Sequence, residues 1–236
     1  MAHNIMGNTR FASYNTPAWH MLGTTFDKPI SAQEGITLAD MDYAINKLPL
    51  MAHISPTESV VIAGQYAIMR SPTHDDKEYR YFGSASESYE LMQNMETAML
   101  VDQLITSGHW NLETVGALGQ GETIFIVLKA ATVQVAKEDV DLYFLVTDTR
   151  DGKASMTLAA TPVRVVCQNT LSLAMRKLNA SVRIRHNRGM LHETSWRMDV
   201  IRQAQEAGNS VTAAVSYTHL RAHETDSYLV CRLLLE

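Results

Sequence analysis

Cysteine and long apolar runs are scarce in this chain of 236 residues, which contains only two cysteines. So few thiols exclude the disulfide framework of a small secreted protein. No apolar run approaches the roughly 18 residues that a transmembrane helix needs. The start of the chain, Met1-Ala2-His3-Asn4-Ile5, lacks the basic region and the apolar stretch of a signal peptide. These absences predict a cytoplasmic protein that has no membrane partner.

The chain also has no excess of positive charge, because it contains 20 basic and 25 acidic side chains and has a formal net charge of −5. A chain with this balance exerts no general attraction on nucleic acid or on an anionic membrane. Apolar residues make up 46% of the sequence and charged residues 19%, which is typical of a globular chain that can bury a core. The length suits one domain, or one domain with an extension.

Residues 215–236 have the sequence of a translated sequencing adapter. Residues 215–224 fit the codons GTC TCT TAT ACA CAT CTC CGA GCC CAC GAG, which look like a transposon end used in library preparation. Residues 229–235 fit CTC GTA TGC CGT CTT CTG CTT, which look like the flow-cell end of the same adapter. Such scars are excluded before fold reasoning. We therefore interpret residues 215–236 as a non-native tail and expect a native chain that is truncated at its C-terminus, with Cys167 as its one cysteine.

The remaining sequence divides into a loop-like start and one α+β domain. Residues 1–30 are rich in Asn, Gly, Thr and Pro without periodicity, so we expect an N-terminal arm that packs onto the body through Trp19. Residues 31–214 alternate predicted hairpins with predicted helices, of which the clearest spans residues 86–107. The sequence therefore predicts an α+β fold, in which an antiparallel sheet is built from hairpins and the helices pack on one face.

Turn and capping residues mark where these elements begin and end. Ser31 and Glu34 form a capping box at the start of a short helix. Gly119-Gln120-Gly121 and Asp151-Gly152 suit hairpin turns, because glycine takes positive φ at little cost. The hairpins are expected to pair residues 60–70 with 79–84, 115–118 with 123–129, and 141–147 with 154–160.

Patterns typical of metal, cofactor and nucleophile sites are absent from the native sequence. Its histidines are scattered singly, and His192 has no second histidine one helical turn away, so we predict no metal site. Gly116, Gly119 and Gly121 fall in a hairpin rather than before a helix, so we predict no phosphate loop and no cofactor. Cys167 lies at a strand-to-helix junction, where a helix N-terminus would activate the thiol. The alternative, a small buried residue, is favoured, and no catalytic residue is assigned.

Basic residues concentrate between Arg164 and Arg202, where the acidic residues are only Glu193 and Asp199. The alternation Val182-Arg183-Ile184-Arg185 predicts a strand with one cationic and one apolar face. Such a strand beside a helix end suits a nucleic-acid backbone, and the alternative is a solvated face that balances the acidic middle of the chain. The candidate nucleic-acid-binding residues are Arg164, Arg176, Lys177, Arg183, Arg185 and Arg188.

Aromatic residues offer a second, weaker indication of nucleic-acid binding. Tyr79, Tyr81 and Phe82 flank Arg80, and bases stack on aromatic rings in single-strand-binding proteins. Aromatic residues that alternate along a strand more often belong to the core, and we favour that interpretation here.

Several motifs resemble a known family. The longest is Thr161-Pro162-Val163-Arg164-Val165-Val166-Cys167-Gln168-Asn169-Thr170-Leu171, and Ala18-Trp19-His20-x-x-Gly23, Gln93-Asn94 and Ile184-Arg185-His186 accompany it. In this order they resemble the phage/plasmid-like proteins of the domain of unknown function 932 family, over essentially all of residues 1–207. The family's hairpin tip usually reads Ser-His-Asp-Gly-Ser. Here it reads Thr149-Arg150-Asp151-Gly152-Lys153, so any role of that histidine does not transfer to this chain.

The resemblance implies a protein of phages, plasmids and integrated elements, and it implies no established reaction. The order of hairpins, helix and basic strand also resembles the β-β-β-α core of the single-strand-annealing recombinases. Those proteins hold single-stranded DNA along a positive groove and commonly form rings. We therefore expect a non-enzymatic protein that binds single-stranded DNA in recombination or replication, assembles with its own copies, and contacts phosphates through the six basic residues named above.

Two other functions stay open. An enzyme would use a polar pocket around His20, Arg164 and Asn169, with His20 as a general base. A phage accessory factor would instead bind another protein through its sheet. The wider set of polar residues considered for a site is Trp19, His20, Gln93, Asn94, Asn169 and His186.

Overall fold

The computed structural model describes residues 10–17, 22–135, 138–165, 168–176 and 181–187, with Met198, Asp199, Arg202, Gln203 and Glu206. The strands found there are β1 (Phe11–Tyr14), β2 (Thr24–Phe26), β3 (Ile45–Ser55), β4 (Glu58–Arg70), β5 (Arg80–Ser86), β6 (Asn111–Leu118), β7 (Thr123–Val135), β8 (Glu138–Thr149), β9 (Met156–Thr161) and β10 (Ser181–Ile184). The helices are α1 (Ala32–Leu38), α2 (Asn94–Gly108) and α3 (Gln168–Arg176).

Seven strands form one sheet in the order β10-β9-β8-β7-β6-β1-β2. Its neighbouring strands are antiparallel except for β1 and β2, which run parallel at one edge. The turn between β6 and β7 contains Gly119 and Gly121, whose φ angles of 65° and 102° are ones that glycine adopts without strain. The α+β class and the mostly antiparallel sheet predicted from the sequence are confirmed, and β1 and β2 come from the expected N-terminal arm.

The helices cover both faces of this sheet, so the prediction that they pack on one face is wrong. Ile126 of β7 belongs to the main core, which also includes α1 and α2, whereas the adjacent Val127 belongs to a second core under α3. Successive side chains of a strand point to opposite faces. The continuous burial of residues 124–128 is typical of a strand covered on both sides. α3 supplies that second cover through Leu171 and Ala174.

A second sheet has three strands in the order β3-β4-β5. Its β4–β5 hairpin agrees with the prediction, but the long β3–β4 hairpin was missed because Pro49 interrupts the pattern. Proline has no N–H to donate and is tolerated on an edge strand, which is where β3 lies. The two sheets meet where Gly83 of β5 lies directly against the backbone of Asp151, at the turn between β8 and β9.

α2 begins at Asn94, not near residue 86 as the sequence predicted. Residues before it continue β5 and then turn, and Tyr89 forms an isolated antiparallel bridge with Asn187. The backbone N–H of Gln93 donates to the Glu96 carboxylate with an N···O distance of 2.7 Å, and this contact marks the helix start. The capping box of Ser31 and Glu34 at α1 is present as predicted.

Some predictions fall outside the described residues, including the contacts of Trp19 and most of a helix at 191–207. Within the part of the chain that is described, no helix combines the length and the apolar character needed to cross a bilayer.

The contact between the two sheets yields a stability prediction for Gly83. A Cβ at this position would overlap the carbonyl oxygen of Asp151. Gly83→Ala should therefore force the β8–β9 turn away from β5 and lower the free energy of unfolding by about 1–3 kcal/mol. Urea denaturation measures the change. Ser86→Ala, at an exposed position of the same strand, is the control and should stay within about 0.5 kcal/mol of the unmodified protein.

Candidate functional site

The basic strand predicted near residue 182 exists as β10, an edge of the seven-stranded sheet. Val182 and Ile184 pack against the main core, while Arg183 and Arg185 are exposed. Arg183 pairs with Thr157 of β9 and so lies on the face of the sheet that α3 covers. Neither arginine forms an ion pair with any described residue. β10 and the residue after it therefore present two arginines at a sheet edge that no described acidic residue neutralises.

Arg164, a third candidate, lies elsewhere and is already paired. Its Nε and Nη2 atoms lie 2.8 and 2.7 Å from one carboxylate oxygen of Glu113, whose side chain is nearly buried. Arg176 ends α3, but its side chain is not among those described, and Lys177 and Arg188 also lie outside the described residues. Of the six basic candidates, the structure thus places two together at the β10 edge and one in a separate ion pair.

Those polar residues considered for an enzyme site that the structure describes do not converge. Gln93 bonds the backbone N–H and carbonyl of Ile45, and Asn94 donates to the Met41 carbonyl at 2.6 Å. Both amides therefore join the start of α2 to the segment before and within β3. Asn169 is exposed near the start of α3. Trp19 and His20 lie outside the described residues.

His186 belongs to a buried polar cluster with Asp148, Arg150 and Thr97. Asp148 and Arg150 are both completely buried. One Asp148 oxygen accepts from Arg150 Nη2 and Thr97 Oγ1, each at 2.8 Å, and the other lies 2.9 Å from His186 Nε2. Arg150 Nε also donates to the carbonyl of Met92 at 2.8 Å. The cluster ties α2, the end of β8 and the segment after β10 to one another.

Burial and charge act in opposite directions on Asp148. Burial by itself raises the pKa of this carboxyl, but Arg150 and the hydrogen bond from His186 outweigh it and hold the pKa below its ordinary value. Two buried polar atoms beside the cluster, His186 Nδ1 and Tyr89 Oη, have no hydrogen-bond partner among the described residues, and the two rings lie 5.1 Å apart between centroids. The cluster is closed by protein on all the sides described, so we assign it to structure rather than to ligand binding.

A polar pocket of about 400 Å³ opens on the sheet face that also carries α3. Its charged lining consists of Glu113 from β6, Lys129 from β7, Asp141 from β8 and Arg164 from the segment before α3. Tyr143 completes the floor and links it to the core under α3. Sequence reasoning named only Arg164 of this group, because the others come from three different strands and share no motif.

Two β-bulges shape the pocket. Glu113 has no partner in β7, because Leu112 pairs with Leu128 and Thr114 pairs with Val127. A second irregularity lies between Lys129 and Ala131, opposite Tyr143 and Leu142. Bulges re-aim side chains and occur frequently next to active sites. Here they bring Glu113 and Lys129 onto the same concave surface.

The pocket contains two ion pairs whose charges are balanced. Lys129 Nζ lies 2.8 Å from Asp141 Oδ2, to which the Tyr143 hydroxyl also donates at 3.2 Å. The hydrogen bonds from Lys129 and Thr132 lower the pKa of Asp141. Burial, reinforced by the Asp141 charge, raises the pKa of Tyr143 to about 12, so this hydroxyl stays protonated at neutral pH.

Two further groups bear on the predictions. Tyr79, just before β5, and Tyr81 within β5 are exposed, so the favoured placement in the core is wrong for these two rings. Phe82 packs against the main core, as that interpretation expected. Asp40, His74 and Asp75 lie close enough to hold a metal ion. However, the buried guanidinium of Arg10 already contacts both carboxylates. A cation would have to displace this arginine, so the three residues form an ion-pair cluster rather than a metal site.

The fold and these surfaces define a mixed α+β protein with a basic sheet edge and a separate polar pocket. The family model of the domain of unknown function DUF932 matches residues 81–231, well over half of the chain. The chain therefore belongs to the DUF932 family, as the motifs around Arg164 indicated. The matched span includes residues 215–231 of the segment interpreted above as adapter. No curated protein and no solved structure gives a significant match.

The buried cluster yields a prediction for Asp148. Asp148→Asn removes the charge that compensates Arg150 and should lower the free energy of unfolding by about 3–5 kcal/mol at pH 7. Because the folded pKa of Asp148 is lowered, its contribution is present above the unfolded pKa of about 3.9 and is lost as the pH falls towards the folded value. Urea denaturation between pH 7 and pH 3 should show the difference between the two proteins shrinking at the acidic end.

The control for this measurement is Asp139→Asn, at an exposed carboxylate in β8. It should be nearly neutral across the same pH range. A pH-independent loss in Asp148→Asn would contradict the assignment of a charged Asp148 in the folded protein.

Proposed function

We propose that this protein binds single-stranded DNA without turnover, as part of recombination or replication on a mobile genetic element. The observation that carries the proposal is the exposure of Arg183 and Arg185 at the β10 edge, with no ion pair to any described residue. The rest of the chain is net acidic, so phosphates would be attracted to this edge locally rather than to the whole molecule.

The order of elements supports this function. β7, β8 and β9 are three consecutive antiparallel strands, and α3 follows them and packs on one face. This order resembles the β-β-β-α core of the single-strand-annealing recombinases, in which DNA lies along the protein without a nucleotide cofactor. Exposed Tyr79 and Tyr81 add two aromatic surfaces on which unpaired bases can stack.

The test is fluorescence anisotropy of labelled oligothymidylate and of a duplex of equal length, titrated with the full chain over a salt series. We expect preferential binding of the single strand that weakens as salt rises. Arg183→Ala combined with Arg185→Ala should weaken binding and reduce the slope of log K against log salt by about 1.4, since each lost phosphate contact on single strands accounts for about 0.7.

Arg202→Ala is the matched control, because it removes an exposed arginine that is paired with Glu206 and Asp199. It should leave affinity and salt slope close to those of the unmodified protein. Absence of binding at low salt by folded protein, or an equal loss in the control, would rule out the β10 edge as a DNA-binding surface.

A second function, binding of a small anionic molecule, is favoured by the polar pocket. Arg164 uses only Nε and Nη2 on Glu113, and Lys129 donates to Asp141. The remaining N–H groups of both cations have no acceptor among the described residues. A pocket of about 400 Å³ lies in the size range of small-molecule sites. In the alternative in which the protein is an enzyme, a phosphate or carboxylate group of the substrate would bind in this pocket.

Inorganic phosphate and nucleoside monophosphates are suitable probes for the pocket, and thermal unfolding is the measurement. A ligand present at 100 times its Kd stabilises the folded state by about 2.7 kcal/mol and raises Tm accordingly. Lys129→Ala and Arg164→Ala should each abolish the increase, whereas Lys153→Ala, at the exposed β8–β9 turn, should retain it. An increase of equal size in all four proteins would show that the anion acts elsewhere.

A further inference from the structure

The carboxylate of Glu113 uses only one of its two oxygens within the protein. Its side chain is 9% exposed and belongs to the lining of the polar pocket. Both contacts from Arg164, at 2.8 and 2.7 Å, fall on the same oxygen, Oε1. The other oxygen, Oε2, accepts no hydrogen bond from any described residue. Because a nearly buried carboxylate oxygen without a donor is costly, a molecule in the pocket must supply that donor.

The hydroxyl of Tyr143 is a second acceptor in the same pocket. It donates its proton to Asp141 Oδ2 at 3.2 Å, which leaves the lone pairs of the phenol oxygen. Burial raises the pKa of this hydroxyl, the charges of Asp141 and Glu113 add to the effect, and Arg164 opposes it. The hydroxyl therefore lies within electrostatic reach of both ion pairs. One ligand can use the acceptors of Glu113 and Tyr143 together.

The donor that Glu113 lacks is an uncharged one. Arg164 already neutralises this carboxylate, and an ammonium group bound to Oε2 would lie beside the guanidinium. Like charges at such short range repel each other. A hydroxyl group supplies a proton without a charge. Glu113 and Tyr143 therefore suit a ligand that carries hydroxyl groups.

The pocket is also larger than a bare anion requires. A phosphate group is comparable in size to a few water molecules of about 30 Å³ each, whereas the pocket has a volume of about 400 Å³. Tyr14, Pro29 and Leu112 add apolar surface to its lining. A sugar ring presents C–H groups as well as hydroxyls, so it can contact this apolar surface while its hydroxyls reach the acceptors.

We propose that the ligand of the polar pocket is a phosphorylated sugar, either free or as part of a nucleotide. The phosphate accepts hydrogen bonds from Arg164 and Lys129, and sugar hydroxyls donate to Glu113 Oε2 and to the oxygen of Tyr143. The inference rests on the anion-binding function proposed above for this pocket. It adds that Glu113 and Tyr143 determine specificity, because they select hydroxyl groups beside the anion.

The experiment is isothermal titration calorimetry of the full chain with ribose 5-phosphate and with methyl phosphate. Both ligands contain one phosphate monoester, but methyl phosphate has no hydroxyl attached to carbon. The unmodified protein should bind ribose 5-phosphate at least about tenfold more tightly, since a hydrogen bond to a charged acceptor corresponds to about a factor of ten or more in Kd.

Glu113→Gln tests the acceptor directly. Glutamine retains the shape of the side chain and an amide oxygen for Arg164, but it removes the charged acceptor from the pocket. The preference for ribose 5-phosphate should fall to about threefold or less, while methyl phosphate binds as tightly as before. A purely structural defect would weaken both ligands equally. Glu58→Gln, the same substitution at an exposed position of β4, is the matched control and should retain the tenfold preference.

Circular dichroism establishes that each variant is folded. If Glu113→Gln fails to fold, Tyr143→Phe provides the test instead, because phenylalanine retains the ring and its packing and removes only the hydroxyl. This variant should lower the preference for ribose 5-phosphate by about threefold, the effect expected for one hydrogen bond between uncharged groups.

The possible failures of the two proposals differ. Equal affinity of the unmodified protein for the two phosphates would overturn the inference and leave the anion-binding function intact. A preference that is unchanged in both Glu113→Gln and Tyr143→Phe would also overturn the inference. Absence of binding of either ligand would overturn the anion-binding function as well.

Adenosine 5′-monophosphate distinguishes the two sources of a phosphorylated sugar. Tighter binding of this nucleotide than of ribose 5-phosphate would support the inference with a nucleotide as the ligand. Equal or weaker binding would support it with a free sugar phosphate.

Discussion

The buried carboxylate of Asp148 is the group on which the arrangement of the described elements depends. Arg150, Thr97 and His186 all bond to it, and they come from the β8–β9 turn, from α2 and from the segment after β10. A charge without solvent is tolerated only when it is paired and its lone pairs are satisfied. Hydrogen bonds have preferred directions, so those to Asp148 fix one relative position of the β8–β9 turn, α2 and the segment after β10. An apolar contact alone would allow several positions.

The buried polar cluster also determines which side chains are exposed at the β10 edge. His186 points into the buried cluster, and the backbone of Glu90 donates to its carbonyl at 3.0 Å. Arg183 and Arg185 remain exposed at the same edge. The exposed arginines therefore lie beside a buried polar network of which they are not members. The polar pocket has a different origin, because α3 covers only part of its face and the strands beyond it carry charged side chains.

The local features of the fold were predictable from short stretches of sequence. The capping box at Ser31 and the glycine turn at Gly119 depend on residues that are close in the chain, and both are present as predicted. The beginning of α2 was not predictable in the same way, because residues before Asn94 are held by a strand and by the Tyr89–Asn187 bridge. The long β3–β4 hairpin was missed because Pro49 was expected to end the strand. Proline excludes a central strand but is tolerated in an edge strand such as β3.

The sequence by itself determined the α+β class, the β4–β5, β6–β7 and β8–β9 hairpins and the alternation that exposes Arg183 and Arg185. Each of these depends on the period or the turn chemistry of neighbouring residues. Only the tertiary structure decided that helices cover both sheet faces and that Arg164 meets Glu113, 51 residues away in the chain. Ion pairs of that separation follow from strand register and bulges, and a one-residue shift would turn the side chains to the other face.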